Sequence, residues 1–168
     1  MSSTSPAPAA PVSGALTDGP LVTEGPGLLV MDVDSTLIEQ EVIELIAERA
    51  GTREQVTEVT ARAMRGELDF AASLRERVAT LAGVRESVFA DVLAEVRPTR
   101  GAAELIEALH ARGCRVGVVS GGFEEVVVPL AERLGIDHVA ANRLETDDGV
   151  LTGRVLGRIV DRQEKVRC

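Results

Sequence analysis

The first sustained apolar segment, Leu28-Leu29-Val30-Met31, breaks at once into Asp32-Val33-Asp34-Ser35-Thr36. A continuous apolar run of strand length is the pattern of a strand buried on both faces, since a half-buried one alternates. The period then becomes helical. Ile43, Ile46, Ala47 and Ala50 line one face of a helix that Gly51 closes. Thr52 and Gln55 have the spacing of a capping box, opening a second helix that runs to about Gly66. Asp69 can cap a third, with Leu74, Val78 and Leu81 turned inward, and a fourth over about 86–96 stops before Pro98. Four successive helices without a strand predict a compact helical insertion over 39–96.

Beyond Pro98 the pattern predicts a helix marked by Leu105, Ile106 and Leu109 and ending near Gly113. Cys114 to Val119 reads as a second buried strand, stopped by Ser120-Gly121-Gly122, and a helix from Phe123 to Leu134 ends at Gly135. A short strand is expected around 137–141, and two more flank Asp148-Gly149, a strong hairpin signal. Ile159 to Cys168 predicts a final helix. Strand, helix, strand, helix makes an α/β fold, a doubly wound parallel sheet with right-handed crossovers, from 27–38 and 97–168. Residues 1–26 hold five of the seven prolines, with Ser, Thr, Ala and Gly between them. Such a segment buries too little apolar surface to offset its ordering entropy and is expected to be a disordered tail.

Composition narrows the function classes. The 168 residues carry a net charge of −9, which argues against a surface for nucleic-acid backbones or anionic membranes. With three Phe and no Trp or Tyr, base stacking is not a general binding strategy. Cys114 opens an apolar run and Cys168 is terminal, so no disulfide framework is expected. With no signal-peptide pattern, the expected setting is a reducing cytoplasm. Lys165 is the one lysine among 18 basic residues.

Ligands of open α/β sheets bind beyond the carboxyl ends of the strands. Two of those ends carry chemistry: Asp32-Val33-Asp34 after the first strand and Ser120-Gly121-Gly122 after the second. Two close carboxylates repel and need a cation or a shared proton, and hard oxygen ligands suit Mg²⁺. Ser120 and the amides after it, at a strand-to-helix turn, suit an anion. Metal and anion sites at neighbouring strand ends point to phosphoryl transfer. Either feature alone also reads as an ordinary Asx turn or loop.

The chain resembles the haloacid dehalogenase superfamily and, within it, the phosphoserine phosphatases. The resemblance rests on L-L-V-M-D-V-D-S-T at 28–36, V-V-S-G-G-F at 118–123, S-L-R-E-R-V at 73–78, A-N-R-L at 141–144 and L-T-G at 151–153. It implies hydrolysis of O-phosphoserine, the last step of serine biosynthesis, through an aspartyl-phosphate. Asp32 would be the nucleophile and Asp34 the proton donor and acceptor. Mg²⁺ would be held by the Asp32 carboxylate and the Asp34 main-chain carbonyl. Ser120 and Gly121 would bind the phosphoryl group together with Lys165, and Glu41 and Arg77 of the helical cap the amino and carboxylate groups. Met64 and Phe70 would line the pocket. From the residues alone, Glu41 and Arg77 also read as charges on solvated helix faces, and His110 and His138 as structural.

The superfamily's fourth motif, Gly-Asp-Gly-x-Asn-Asp, does not occur in the sequence. In the superfamily its aspartate completes the Mg²⁺ site, and the strand before it pairs with the first strand. The chain is therefore expected to be a C-terminally incomplete copy of the fold, its last strands missing. The first strand becomes a sheet edge, a surface for aggregation or partner pairing. Two other readings stand beside a phosphatase for a small phosphate ester: a phosphotransferase, and a phosphate-binding or interaction fragment without turnover.

Overall fold

A computed structural model describes residues 25–166. The expected N-terminal tail and Cys168 lie almost wholly or entirely outside them. Four strands form one sheet in the order β1 (Leu28–Met31), β2 (Arg115–Phe123), β3 (His138–Asp147), β4 (Val150–Leu156). The first three are parallel and β4 returns antiparallel to β3. The antiparallel pair is the hairpin expected at Asp148-Gly149: this two-residue turn, both residues at positive φ, reverses the chain and makes the otherwise parallel sheet mixed. The separate strands expected on either side of residue 142 are one. Its first half pairs with β2 and its second with β4.

Four helices make up the insertion after β1: α1 (Val42–Ala50), α2 (Arg53–Met64), α3 (Phe70–Ala79) and α4 (Val88–Glu95). α5 (Ala102–His110) leads into β2, and α6 (Glu124–Leu134) joins β2 to β3. Gly51 and Gly135 close α1 and α6 in the left-handed conformation, as their position after the last apolar residue predicts. Asp69 caps α3 through a 2.7 Å bond from the Ala72 amide. Thr52 forms no capping bond, which corrects the expected capping box, and its buried hydroxyl is unpartnered among the described residues. In place of a final helix, the described residues near the C-terminus contain one 3₁₀ turn, Glu164–Val166.

Besides its packing on the core, the helical insertion is tied by main-chain hydrogen bonds at two places. At its base, residues 37–40 run antiparallel to 97–99: Glu39 N–H meets the Arg97 carbonyl at 3.0 Å and Thr99 N–H the Leu37 carbonyl at 2.8 Å. At its far side, residues 83–86 pair with the tip of the β3–β4 hairpin. Gly83 and Leu151, Val84 and Leu151, and Glu86 and Gly149 exchange main-chain bonds of 2.8–2.9 Å. Gly153, at φ +81°, permits this docking: a Cβ there would fall 3.0 Å from that of Ala82 and 3.2 Å from the Ala79 carbonyl.

The core runs continuously from Val33, Leu37 and Ile38 through Ile46 and Leu74 to Val116, Phe123 and Leu130. β1 departs from the buried reading of its apolar run. It is the sheet edge among the described residues, and Leu28 and Val30 are 53% and 50% exposed. Leu105, expected inward on α5, is 49% exposed and borders an apolar groove with Leu29 and Met31. Among the described residues no helix is long and apolar enough to cross a membrane.

Candidate active site

The carboxyl end of β1 sets two carboxylates into a cavity of about 540 Å³ between the sheet and the helical insertion. Asp32 leaves the strand with one oxygen bound by the Val33 amide at 2.9 Å; the other meets Lys165 Nζ at 2.5 Å. Its side chain is 44% exposed and that of Lys165 31%, so the pair faces the cavity. The chain then turns sharply. Ile38 N–H reaches back to the Val33 carbonyl, and Ser35 sits at φ +54°. This turn carries Asp34 back over the cavity, where it accepts a 3.1 Å bond from the Val42 amide at the start of α1. Burial pushes the Asp34 carboxyl up to about 6; the Val42 amide opposes this, and the charges of Glu41 and Asp32 add to it.

Gly121 and Gly122 form a second wall of the cavity, where β2 loses register with β3 between Val119 and Phe123. Both glycines lie in close approach to facing side chains. A Cβ on Gly121 would lie 2.9 Å from Cζ of Phe70, and one on Gly122 would lie 3.0 Å from Asp34 Oδ2. Ser120 is fully buried, its hydroxyl accepting from the Gly122 amide at 2.9 Å, and it does not line the cavity. The wall is clamped from behind by Asn142, 1% exposed, which donates to the Gly121 carbonyl at 2.9 Å and accepts from the Val160 amide at 2.8 Å. It thereby joins the glycine loop to the segment that delivers Lys165.

From the insertion come Glu41, at the mouth of α1, and Phe70, Leu74 and Arg77 of α3. Glu41 accepts a 2.6 Å bond from the Ser35 hydroxyl. Burial lowers the Arg77 guanidinium below its usual value, opposed by the charges of Glu41, Asp34 and Glu44. Its Nε reaches the Ser73 carbonyl at 3.4 Å.

The structure thus brings Asp32, Asp34, Glu41, Phe70, Arg77, Gly121 and Lys165 around one cavity. Met64 is not among them and is 85% exposed. It lies five residues past the buried Val59, roughly 140° around α2, so the helix turns it outward. Arg162 lines the cavity beside Lys165 without having been expected there. It lies in an irregular segment, where no periodicity marks a facing residue. Asn142 carried a usable signal, a polar residue directly after the apolar run Val139-Ala140-Ala141 and within the A-N-R-L stretch.

The sequence profile of the haloacid dehalogenase-like hydrolases matches residues 29–168. The chain belongs to this family. It is 56% identical over 145 residues to a phosphoserine phosphatase of Streptococcus thermophilus, covering 86% of this chain and 67% of that protein. It is 61% identical over 140 residues to one of Streptomyces coelicolor, covering 83% of this chain and 34% of that protein. A solved phospho-aspartyl intermediate analogue of phosphoserine phosphatase superposes with a TM-score of 0.77 at 42% identity, over 84% of this chain and 68% of that one. The chain therefore spans between about one third and two thirds of the length of these relatives. Its haloacid dehalogenase fold carries the cavity where this architecture puts ligands, at the carboxyl ends of parallel strands.

Proposed function

We propose that the chain acts as a phosphoserine phosphatase. The observation that carries this reading is the cavity itself: Asp32 paired with Lys165 at 2.5 Å, Asp34 beside them, and Glu41 and Arg77 facing them from the helices. A phosphorylated amino acid presents a phosphate, a carboxylate and an ammonium group, and the cavity offers a partner for each. Lys165 and the Gly121 amide take phosphoryl oxygens, with Ser120 fixing the loop from within. Arg77 pairs with the carboxylate and Glu41 with the ammonium. Residues 39–96 act as the cap over a core of 27–38 and 97–168.

Asp32 attacks phosphorus through a carboxylate oxygen, the phosphorus–oxygen bond to serine breaks, and Asp34 gives its proton to the departing oxygen. In the second half, water attacks phosphorus, Asp34 takes back a proton, and the Asp32 carboxylate is released with inorganic phosphate. A carboxyl raised to about 6 suits that alternation near neutral pH. Lys165 offsets the charge shared by Asp32 and the phosphoryl oxygens. Asp32 and Asp34 supply hard oxygen donors of the kind Mg²⁺ takes, one or two from protein and the rest from water and phosphate. The Asp32 carboxylate and the Asp34 main-chain carbonyl would hold the ion, which when bound supplies positive charge against the transferring phosphoryl group.

Phosphate release from O-phospho-L-serine with Mg²⁺ tests the reading. Asp32→Asn is expected to lower the rate at least about 10³-fold. Full activity in that variant would sink the mechanism. The alternative reading is a phosphate-binding module without turnover. Saturable phosphoserine binding without phosphate release, in the presence of Mg²⁺, selects it.

A further inference from the structure

Within Asp32-Val33-Asp34-Ser35-Thr36, Ser35 has a conformation its neighbours do not explain. Its φ of +54° is uncommon for a residue with a Cβ and is held at some cost. Two bonds accompany it: the Ser35 amide donates to the Gln40 carbonyl at 3.2 Å, and the hydroxyl donates to Glu41 Oε1 at 2.6 Å. Gln40 is fixed in turn, its side-chain oxygen accepting from the Arg97 amide at 3.0 Å on the returning strand. Glu41 is the N-cap residue of α1, yet its side chain makes no capping bond, and the Val42 amide goes to Asp34. The carboxylate of Glu41 is thus held by a residue of the core turn and not by its own helix.

A glutamate free in solvent samples many rotamers, and ordering it on binding opposes affinity. A serine hydroxyl on a rigid turn removes most of that freedom beforehand. We propose that Ser35 is a positioning residue: it holds one oxygen of Glu41, and the other is left facing the ammonium group of the phosphorylated amino acid. This rests on the reading of Glu41 given above. The left-handed turn has a role in this account, because it brings a short side chain at 35 within reach of residue 41.

Titration of the full chain with O-phospho-L-serine and with its analogue lacking the amino group, followed by amide chemical shifts with metal chelated, tests the inference. Ser35→Ala and Ser35→Gly are both expected to weaken phosphoserine binding roughly tenfold and the analogue less than about twofold. Adding Glu41→Gln to either should cause little further loss. The glycine variant separates positioning from strain, since glycine adopts φ +54° freely. Glycine behaving as wild type while alanine weakens both ligands would overturn the proposal, leaving only a backbone role. So would discrimination for phosphoserine that persists in both variants, and that result leaves the functional reading intact. A wild-type chain that binds the two ligands equally removes ammonium recognition by Glu41 and the role of Ser35 with it.

Discussion

Asp34 shows most directly how this site trades stability for chemistry. In the folded chain its carboxyl titrates near 6 instead of 3.8, chiefly because burial penalises the charged form. The folded state therefore holds the proton to higher pH than the unfolded chain, and stability falls as pH rises from about 4 through about 6. Above that window the cost is fully present, on the order of 3 kcal/mol. Asp34→Asn keeps an acceptor for the Val42 amide and cannot ionise. With metal chelated, its melting temperature should exceed that of the wild type at pH 7.5 and converge on it near pH 4. A pH-independent difference would contradict this assignment. At this scale the sequence was legible where a residue was singular in kind: Asp32 and Asp34 ended an apolar run, and Lys165 was the lone lysine. Arg162 was illegible because one arginine among many, in irregular chain, carries no pattern. Ser120 was placed by its loop, and its bond from the Gly122 amide is local, but its complete burial is a tertiary outcome.

At the scale of elements, helices announced themselves through their ends. Gly51, Asp69 and Gly135 act where they were expected because each satisfies local geometry that depends on few neighbours. Thr52 failed for the converse reason: its φ of −113° and ψ of 14° do not present the hydroxyl to the first turn. β3 read as two strands because its halves face different partners, one parallel and one antiparallel. The docking of the β3–β4 hairpin on residues 83–86 was not visible, since main-chain pairing between distant segments leaves little trace in side-chain pattern. It depends on Gly153. Gly153→Ala adds a methyl 3.0 Å from Ala82 Cβ at a positive φ, and should cost about 2 kcal/mol in urea unfolding. A change within about 0.5 kcal/mol would mean the hairpin yields without loss.

At the scale of the whole sheet, the uneven feature among the described residues is β1. An apolar strand at a sheet edge offers unpaired main-chain groups and half-exposed Leu28 and Val30 on one face, with the groove of Leu29, Met31 and Leu105 on the other. Edges of this kind recruit other strands. Val30→Lys places a charge on the exposed face at little expected cost to folding, and sedimentation velocity should show less self-association than in the wild type at matched concentration. Equal sedimentation of the two would remove the edge as the cause. The apolar run was legible as a strand but not as an edge strand from hydropathy alone, because apolar residues mark what could be buried and the topology decides what is. Only the absence of a further motif pointed to the edge.

The paired attachments of the helical insertion, at 37–40 with 97–99 and at 83–86 with the hairpin tip, restrict how it can move. A swing about the line through these two places also has to slide α1, α3 and α4 against β2, β4 and α6, on which they pack. Opening the cavity then calls for a small swing on this axle or for a local lift of α2 and α3, without a wide hinge motion. Either movement changes the separation of Phe70 from Gly121, which lie so close in this structure that a Cβ on Gly121 would fall 2.9 Å from the Phe70 ring.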